Sequence, residues 1–537
     1  MSIKRSISFI VLFVMILVTF ACDSSTNKTE STAPETKVVV SEAKPLTTTV
    51  EVTGGTIEGV EQEGILTYKG IPFAAPPVGD LRWKAPAPLQ PWTGVKKADA
   101  FCDACMQAAN AMGNTAPVNE DCLYLNVWTP AKKTNEKIPV IYWVHGGGYS
   151  GGSTSTPMYD GTGFAKKGVI MVAVAYRLGP FGFLAHPELS AESGNGSGAY
   201  GIQDMVAGLE WVKENISKFG GDPSNVTIFG HSAGGAAVSL LAATPLAKGL
   251  FQKAICMSGG SFTPLMTSNQ TGVGLGMPSL KLAESNGEEF LKKLGVADIK
   301  AARVLSAEDI QKALTGGMRF RPVADGYVIP NDLYTLHMEG SFNYTPILLG
   351  HTSDEMGAFG RTQDMTSEGF KKQIKSQYAP NADAFLSTYP HSTDAEATRA
   401  SKDIRNDSSF AYNTWTWSRL QFRKGKDRAF QYYFDYHPDS PDGGSGHGSD
   451  VPHAFQTLMG EPGEEDLKLS DMISSYWVNF ARTGDPNGPG LPEWPSFSEE
   501  DPKVMVFDTA PGARPLPILD RLKVIDLYFS GLREKSE

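Results

Sequence analysis

A chain of 537 residues with 41% hydrophobic, 20% charged and 10% aromatic residues, 56 Gly and 35 Pro, is a turn-rich globular protein with a large core, too apolar to be disordered. Its length suits two or three average domains or one elaborated α/β core. A net charge of −11 excludes a non-specific hold on nucleic acid, which needs clustered Lys and Arg.

Lys4 and Arg5 precede an apolar run, ISFIVLFVMILVTFA, which is short for a membrane span and right for the h-region of a secretory signal. Export is the expectation, whether to the periplasm, to a membrane as an anchored lipoprotein, or to the medium. The run ends in TFACDSS, where Cys22 resembles the acylated first residue of a bacterial lipoprotein, although Thr19 stands where such sites usually carry Leu. Simple cleavage nearby is the alternative. Residues 23–47, rich in Ser, Thr, Lys, Glu and Pro, read as a flexible linker, which leaves one large domain over 48–535.

Cys102, Cys105, Cys122 and Cys256 follow. No second close Cys or His pair completes a zinc site with Cys102 and Cys105. In an oxidising compartment a Cys105–Cys122 bridge would close a short loop and stabilise by about 3 kcal/mol, but these positions alone do not assign the pairing.

Between about 138 and 260 the pattern alternates. Pro139–Val144, Gly168–Tyr176, Asn225–Phe229 and Ala254–Ser258 are short apolar or β-branched runs, the mark of strands buried on both faces of a parallel sheet. Ile202, Met205, Val206, Leu209, Val212 and Ile216 fall at helical spacing, and GGDP at 220–223 stops that helix. The stretch from about 262 to 345, mostly polar and helical in pattern, reads as a cap over a site. Leu469, Met472, Ile473, Tyr476, Trp477 and Phe480 form a later amphipathic face, stopped by TGDPNGPG. The aromatic stretch FAYNTWTWSRLQF (Phe410–Phe422) reads as core ahead of a gorge lining.

Within this frame GHSAGG places Ser232 between Gly230 and Gly234, after a strand and before a small-residue helix. A serine hydroxyl needs a positioned base to become a nucleophile, and the G-x-S-x-G turn exposes it for that purpose. HGGGYSGG (His145–Gly152) also follows a strand, and its backbone N–H groups suit an oxyanion. A phosphate cradle is the competing reading, but no Lys-Ser/Thr pair follows. In this arrangement acid and base lie downstream in that order. TPILLGHTSDEMGAFG offers adjacent Asp354 and Glu355, while GGSGHGSDVPHAF offers His447 and His453, and spacing separates neither pair.

The blocks YKGIPFAAPPVGDLRW, EDCLYLNVWTP, HGGGYSGG, YRLGPFGF, FGGDPSNVTIFGHSAGG and NFARTGDPNGPGLPEWP, in that order, resemble the type B carboxylesterases, the cholinesterase-like branch of the α/β-hydrolase superfamily. The resemblance spans nearly the whole chain after the linker. It implies an α/β-hydrolase fold with a mostly parallel central sheet, flanking helices and helical insertions, and a triad of Ser232, Glu355 and His447. It also implies oxyanion donors at the amides of Gly147, Gly148 and Ala233, a Cys105–Cys122 disulfide, and an Arg82–Glu120 ion pair.

Three positions depart from the family pattern: His231 replaces the usual Glu before the nucleophile, Met356 separates the acid from Gly357, and the Cys105–Cys122 loop lacks the tryptophan with which cholinesterases hold a substrate cation. A choline ester is therefore not the expected substrate. The resemblance implies hydrolysis of small-molecule carboxylic esters through an acyl-serine, with no metal or cofactor required. An amide, carbamate or bulky natural ester on the same residues is the near alternative, and a neuroligin-like binding protein the distant one. Oligomeric state is not legible.

Overall fold

The computed structural model describes residues 43–534 except 110, 112–113, 269–275, 315–316, 361–362, 426–427 and 439–442. The signal segment, Cys22 and most of the expected linker lie outside the described residues. Ordered contacts begin before position 48: the Lys44 amide donates to the Thr134 hydroxyl at 3.0 Å and that of Leu46 to the Lys132 carbonyl at 2.9 Å.

The apolar runs become strands of one mixed sheet, eleven-stranded among the described residues. In chain order these are β1 (Val60–Gln62), β2 (Ile65–Pro72), β3 (Tyr124–Thr129), β4 (Ile138–Val144), β5 (Ile170–Val174), β6 (Gly221–His231), β7 (Lys253–Met257), β8 (Ile347–Thr352), β9 (Ala429–Phe434), β10 (Lys503–Phe507) and β11 (Gly512–Pro515). The spatial order is β11-β10-β9-β8-β7-β6-β4-β5-β3-β2-β1. Strands from β10 to β5 run parallel, while β11 at one edge and β3, β2 and β1 at the other pair antiparallel.

Side chains of a strand alternate between faces, and here both faces are covered. Val140, Tyr142 and Val144 of β4 pack in one apolar cluster with Ile202, Met205, Leu209 and Val212. Ile141 and Trp143 of the same strand enter the opposite cluster, with Phe229, Tyr432, Tyr476 and Trp477. This explains why the central strands read as unbroken apolar runs.

The expected helices form at the expected places. Helix α1 (Tyr200–Asn215) is continued by a 3-10 turn, Ile216–Phe219, and stopped by Gly220 at φ 85°. Helix α2 (Ala233–Ala243) follows β6 directly. The cap region contributes α3 (Leu280–Leu294) and shorter helices at Ile299–Arg303, Ala307–Lys312 and Leu333–Glu339. Arg82 fastens it: beyond its two bonds to Glu120, at 2.7 and 2.5 Å, its guanidinium donates to the carbonyls of Arg303 and Leu305. Cys105 and Cys122 are disulfide-bonded.

The aromatic stretch divides between the two roles. A π-helical turn, Asp407–Ala411, leads into α4 (Tyr412–Lys424), on which Tyr412, Trp415 and Trp417 are buried as core. Phe410, on the turn, instead lines a cavity. Helix α5 (Glu464–Thr483) buries Leu469, Ile473, Tyr476, Trp477 and Phe480 and ends at Gly484. Helix α6 (Leu519–Arg533) closes the described chain.

Candidate active site

Ser232 sits at the junction of β6 and α2 with φ 58° and ψ −125°, a conformation that L-residues avoid and that costs on the order of 1–3 kcal/mol. The surrounding glycines make the turn possible. A Cβ on Gly234 would overlap the Val144 carbonyl oxygen, and one on Gly230 would overlap Gly234 itself. The Ser232 amide donates to the Met257 carbonyl at 2.9 Å, which ties the turn to the end of β7.

The loop after β4 packs on this elbow. A Cβ on Gly146 would fall 2.8 Å from the His231 carbonyl oxygen and 3.0 Å from the Ser232 Cβ. Gly147 and Gly148 turn the chain with φ 115° and 61°. Their amides have no acceptor among the described residues, and Ala233, first in α2, has an N–H with no intrahelical acceptor. Gly147, Gly148, Ser232, Ala233 and His447 all line one cavity of about 550 Å³.

Among the open pairs, geometry brings Glu355 and His447 together. His447 Nδ1 is hydrogen-bonded to Glu355 Oε2, and Glu355 Oε1 accepts the Thr352 amide at 2.8 Å. Glu355 is fully buried. Burial alone would push its pKa up, but the His447 charge, the hydrogen bond from His447, the nearby Ser258 hydroxyl and the Thr352 amide hold the carboxyl below its ordinary range. The Ser258 hydroxyl is buried with a geometry looser than a hydrogen bond.

Asp354 is engaged elsewhere, 2.5 Å from the Lys402 ammonium. His453 lies in a short helix, Val451–Phe455, against Phe434 and Tyr436 at 5.4 and 5.7 Å. Burial lowers its pKa to about 4, and it is absent from the cavity wall.

The base candidate stands in an apolar collar. Phe410, Phe359 and His231 have ring centroids 4.7, 5.1 and 4.5 Å from that of His447. His447 Nε2 has no hydrogen bond to a described residue. His231, in place of the usual carboxylate, is buried, and burial followed by the His447 charge holds its pKa well below the ordinary value. It is therefore neutral at pH 7 and adds no charge beside the base.

Sequence reasoning missed Ser258 and Gln107. Ser258 had a signal, since it ends a parallel strand, the edge where such sheets build sites. Gln107 had none: its amide clamps Gly152 from both sides, donating to the carbonyl at 2.8 Å and accepting from the N–H at 2.9 Å. It sits two residues beyond Cys105 and so links the disulfide loop to the glycine loop.

These features are those of a serine hydrolase on an α/β-hydrolase scaffold. The model of the carboxylesterase family matches residues 46–516, and the chain belongs to that family. It is 37% identical over 477 residues to a fumonisin B1 esterase of Sphingopyxis macrogoltabida, covering 86% of each chain. It is 34% identical to the para-nitrobenzyl esterase of Bacillus subtilis, covering 85% of this chain and 94% of the relative. Among solved structures, a Geobacillus stearothermophilus carboxylesterase superposes with TM-score 0.77 at 33% identity, covering 90% of this chain and 100% of the other. The protein is a carboxylic ester hydrolase.

Proposed function

We propose that Ser232, His447 and Glu355 carry out this hydrolysis as a triad, with the amides of Gly147, Gly148 and Ala233 as the oxyanion hole. The observation that carries the reading is the chain of contacts from Glu355 to His447, whose other ring nitrogen is unbonded at the wall of the cavity that Ser232 also lines.

In the proposed cycle Glu355 holds the Nδ1–H tautomer, so Nε2 is the basic atom. Nε2 takes the Ser232 proton as the hydroxyl oxygen attacks the ester carbonyl. The carbonyl oxygen gains the charge and is met by the three amides, which need no reorganisation at that moment. His447 returns the proton to the departing alcohol, leaving an acyl-serine. Water, deprotonated by the same nitrogen, attacks the acyl carbon, and the collapse releases the acid and Ser232.

The substrates are small-molecule carboxylic esters, and fumonisin B1 belongs in the assay panel beside aryl esters because of the relative that acts on it. We further propose that the chain is exported, with Cys22 as its lipid anchor; incorporation of labelled palmitate that disappears in Cys22→Ala is the expected result. For the triad, a 4-nitrophenyl alkylphosphonate should phosphonylate the protein with release of 4-nitrophenol. Peptide mass analysis should find the adduct on Ser232, and an adduct on another residue would contradict the assignment.

A further inference from the structure

The cavity over Ser232 carries a charge that ester hydrolysis itself does not use. Arg319 and Arg321 are among its lining residues, and among the described residues no Asp or Glu is. Neither guanidinium has a hydrogen bond or ion pair to a described residue. Elsewhere five partly or fully buried arginines are matched to carboxylates: Arg82 to Glu120, Arg177 to Asp204, Arg303 to Glu192, Arg419 to Asp526 and Arg521 to Asp407. Arg319 is exposed, but Arg321 is partly buried, and withdrawing a guanidinium from water without a counter-charge is costly, so its unmatched place at the cavity wall needs a reason.

Its surroundings hold Arg321 in place for a ligand. Phe320 is buried against Phe290, ring centroids 4.9 Å apart, and Val323 is fully buried two residues on. With the chain fixed on both sides, Arg321 and Pro322 face the cavity. Burial, and then the charge of Arg319, lower the Arg321 pKa, and the Tyr149 phenol alone opposes them. An anion is what this site lacks. Tyr149 directly follows Gly148, so the unmatched charge lies beside the loop that meets the scissile carbonyl. The remaining wall is largely apolar, with Tyr159, Leu240, Met277, Met356, Phe359 and Phe410.

We infer that the cavity is built for esters that carry a free carboxylate, held by Arg321 and Arg319 while the ester carbonyl stands at Ser232. The inference rests on the triad reading for the position of the carbonyl. A guanidinium fork matches a carboxylate with paired N–H donors, which an apolar wall cannot offer. The preference is not one the net charge of −11 would provide, since the field of the whole molecule repels anions.

Two matched substrate pairs test it: mono-4-nitrophenyl adipate against 4-nitrophenyl hexanoate, with the carboxylate on the acyl side, and 4-acetoxybenzoate against 4-methylphenyl acetate, with it on the alcohol side. The wild type should favour the anionic member of at least one pair in kcat/KM. Arg321→Gln should lower that preference by about 10- to 100-fold, the range for hydrogen bonds to a charged group, chiefly through KM. A preference untouched by Arg321→Gln in both pairs would overturn the inference. Calorimetric titration of adipate into Ser232→Ala protein, with and without Arg321→Gln, reads the anion site without turnover. Adipate binding abolished by Arg321→Gln, with ester hydrolysis retained in Ser232→Ala, would keep the anion site and remove the triad reading. Hydrolysis of neutral esters with no adipate binding and no change in preference would do the reverse.

Discussion

Spacing alone left two adjacent carboxylates and two nearby histidines equivalent, the resemblance singled out Glu355 and His447, and single contacts distinguish them in space. Asp354 faces Lys402 and Glu355 faces His447; His453 is buried among aromatic rings. Lys402 is 48 residues from Asp354, so the local sequence does not show what engages Asp354. Asp450 is a residue whose chemistry was equally hidden. Its side chain is fully enclosed, accepts the Tyr432 hydroxyl at 2.6 Å through one oxygen and leaves the other unpartnered. Burial first, and then the nearby Glu355 charge, push its pKa up to about 7. Between the unfolded value near 4 and that folded value, the native chain keeps a proton the unfolded chain has released. Its contribution to stability is therefore complete at low pH and lost as pH rises to about 7. Asp450→Asn keeps the acceptor for Tyr432 and removes the titration, so urea unfolding at pH 5 and pH 8 should show a smaller decline in the variant. At pH 8 the gain over wild type should be about 4 kcal/mol.

The regular elements were the most legible feature. Apolar runs at 139–144, 225–229 and 254–258 became β4, β6 and β7 within a few residues, because strands covered on both faces must be apolar throughout. The helix stops at Gly220 and Gly484 were also legible, since both take left-handed backbone conformations that favour glycine. What joins the elements was less visible. Gln107 sits in a loop whose sequence carries no motif, yet its amide fixes Gly152 and thereby the turn that presents Gly147 and Gly148. Gln107→Ala should leave the Gly152 amide and carbonyl without partners and lower stability by about 1–3 kcal/mol. It should also lower kcat about 10-fold while KM for a simple ester moves little, because the loop amides act on the developing oxyanion. Opening the Cys105–Cys122 bridge by Cys105→Ser with Cys122→Ser should add a loss of about 3 kcal/mol, the entropy of a loop spanning 17 positions. Guanidinium unfolding midpoints and steady-state kinetics on the same preparations check both.

At the scale of the whole molecule, distant segments are coupled to the cavity by buried charge. Helix α6 reaches the π-helical turn through Arg521, which grips Asp407 with two bonds of 2.6 Å. Asp407 is fully buried and also accepts the Tyr389 hydroxyl. Ser409 and Phe410, which line the cavity, lie within this turn. Arg521→Ala should leave Asp407 as an uncompensated buried charge and destabilise by about 3–5 kcal/mol, read as a fall in thermal midpoint. Coupling of this long-range kind also explains why the position of the cap was hard to read. The 262–345 stretch is helical in pattern but carries no chemical motif, and it takes its place from partners such as Arg82, more than 200 residues away.

The central claim is that one serine, one histidine and one glutamate, drawn from three separate loops, act together on an ester. The most direct test is hydrolysis of 4-nitrophenyl butyrate by the wild type beside Ser232→Ala, His447→Ala, Glu355→Gln, Asp354→Asn and His453→Gln. The account predicts losses in kcat of about 10⁴-fold or more for the first three and less than about 10-fold for the last two. Retained turnover in His447→Ala, or a collapse in His453→Gln with the fold intact, would contradict it.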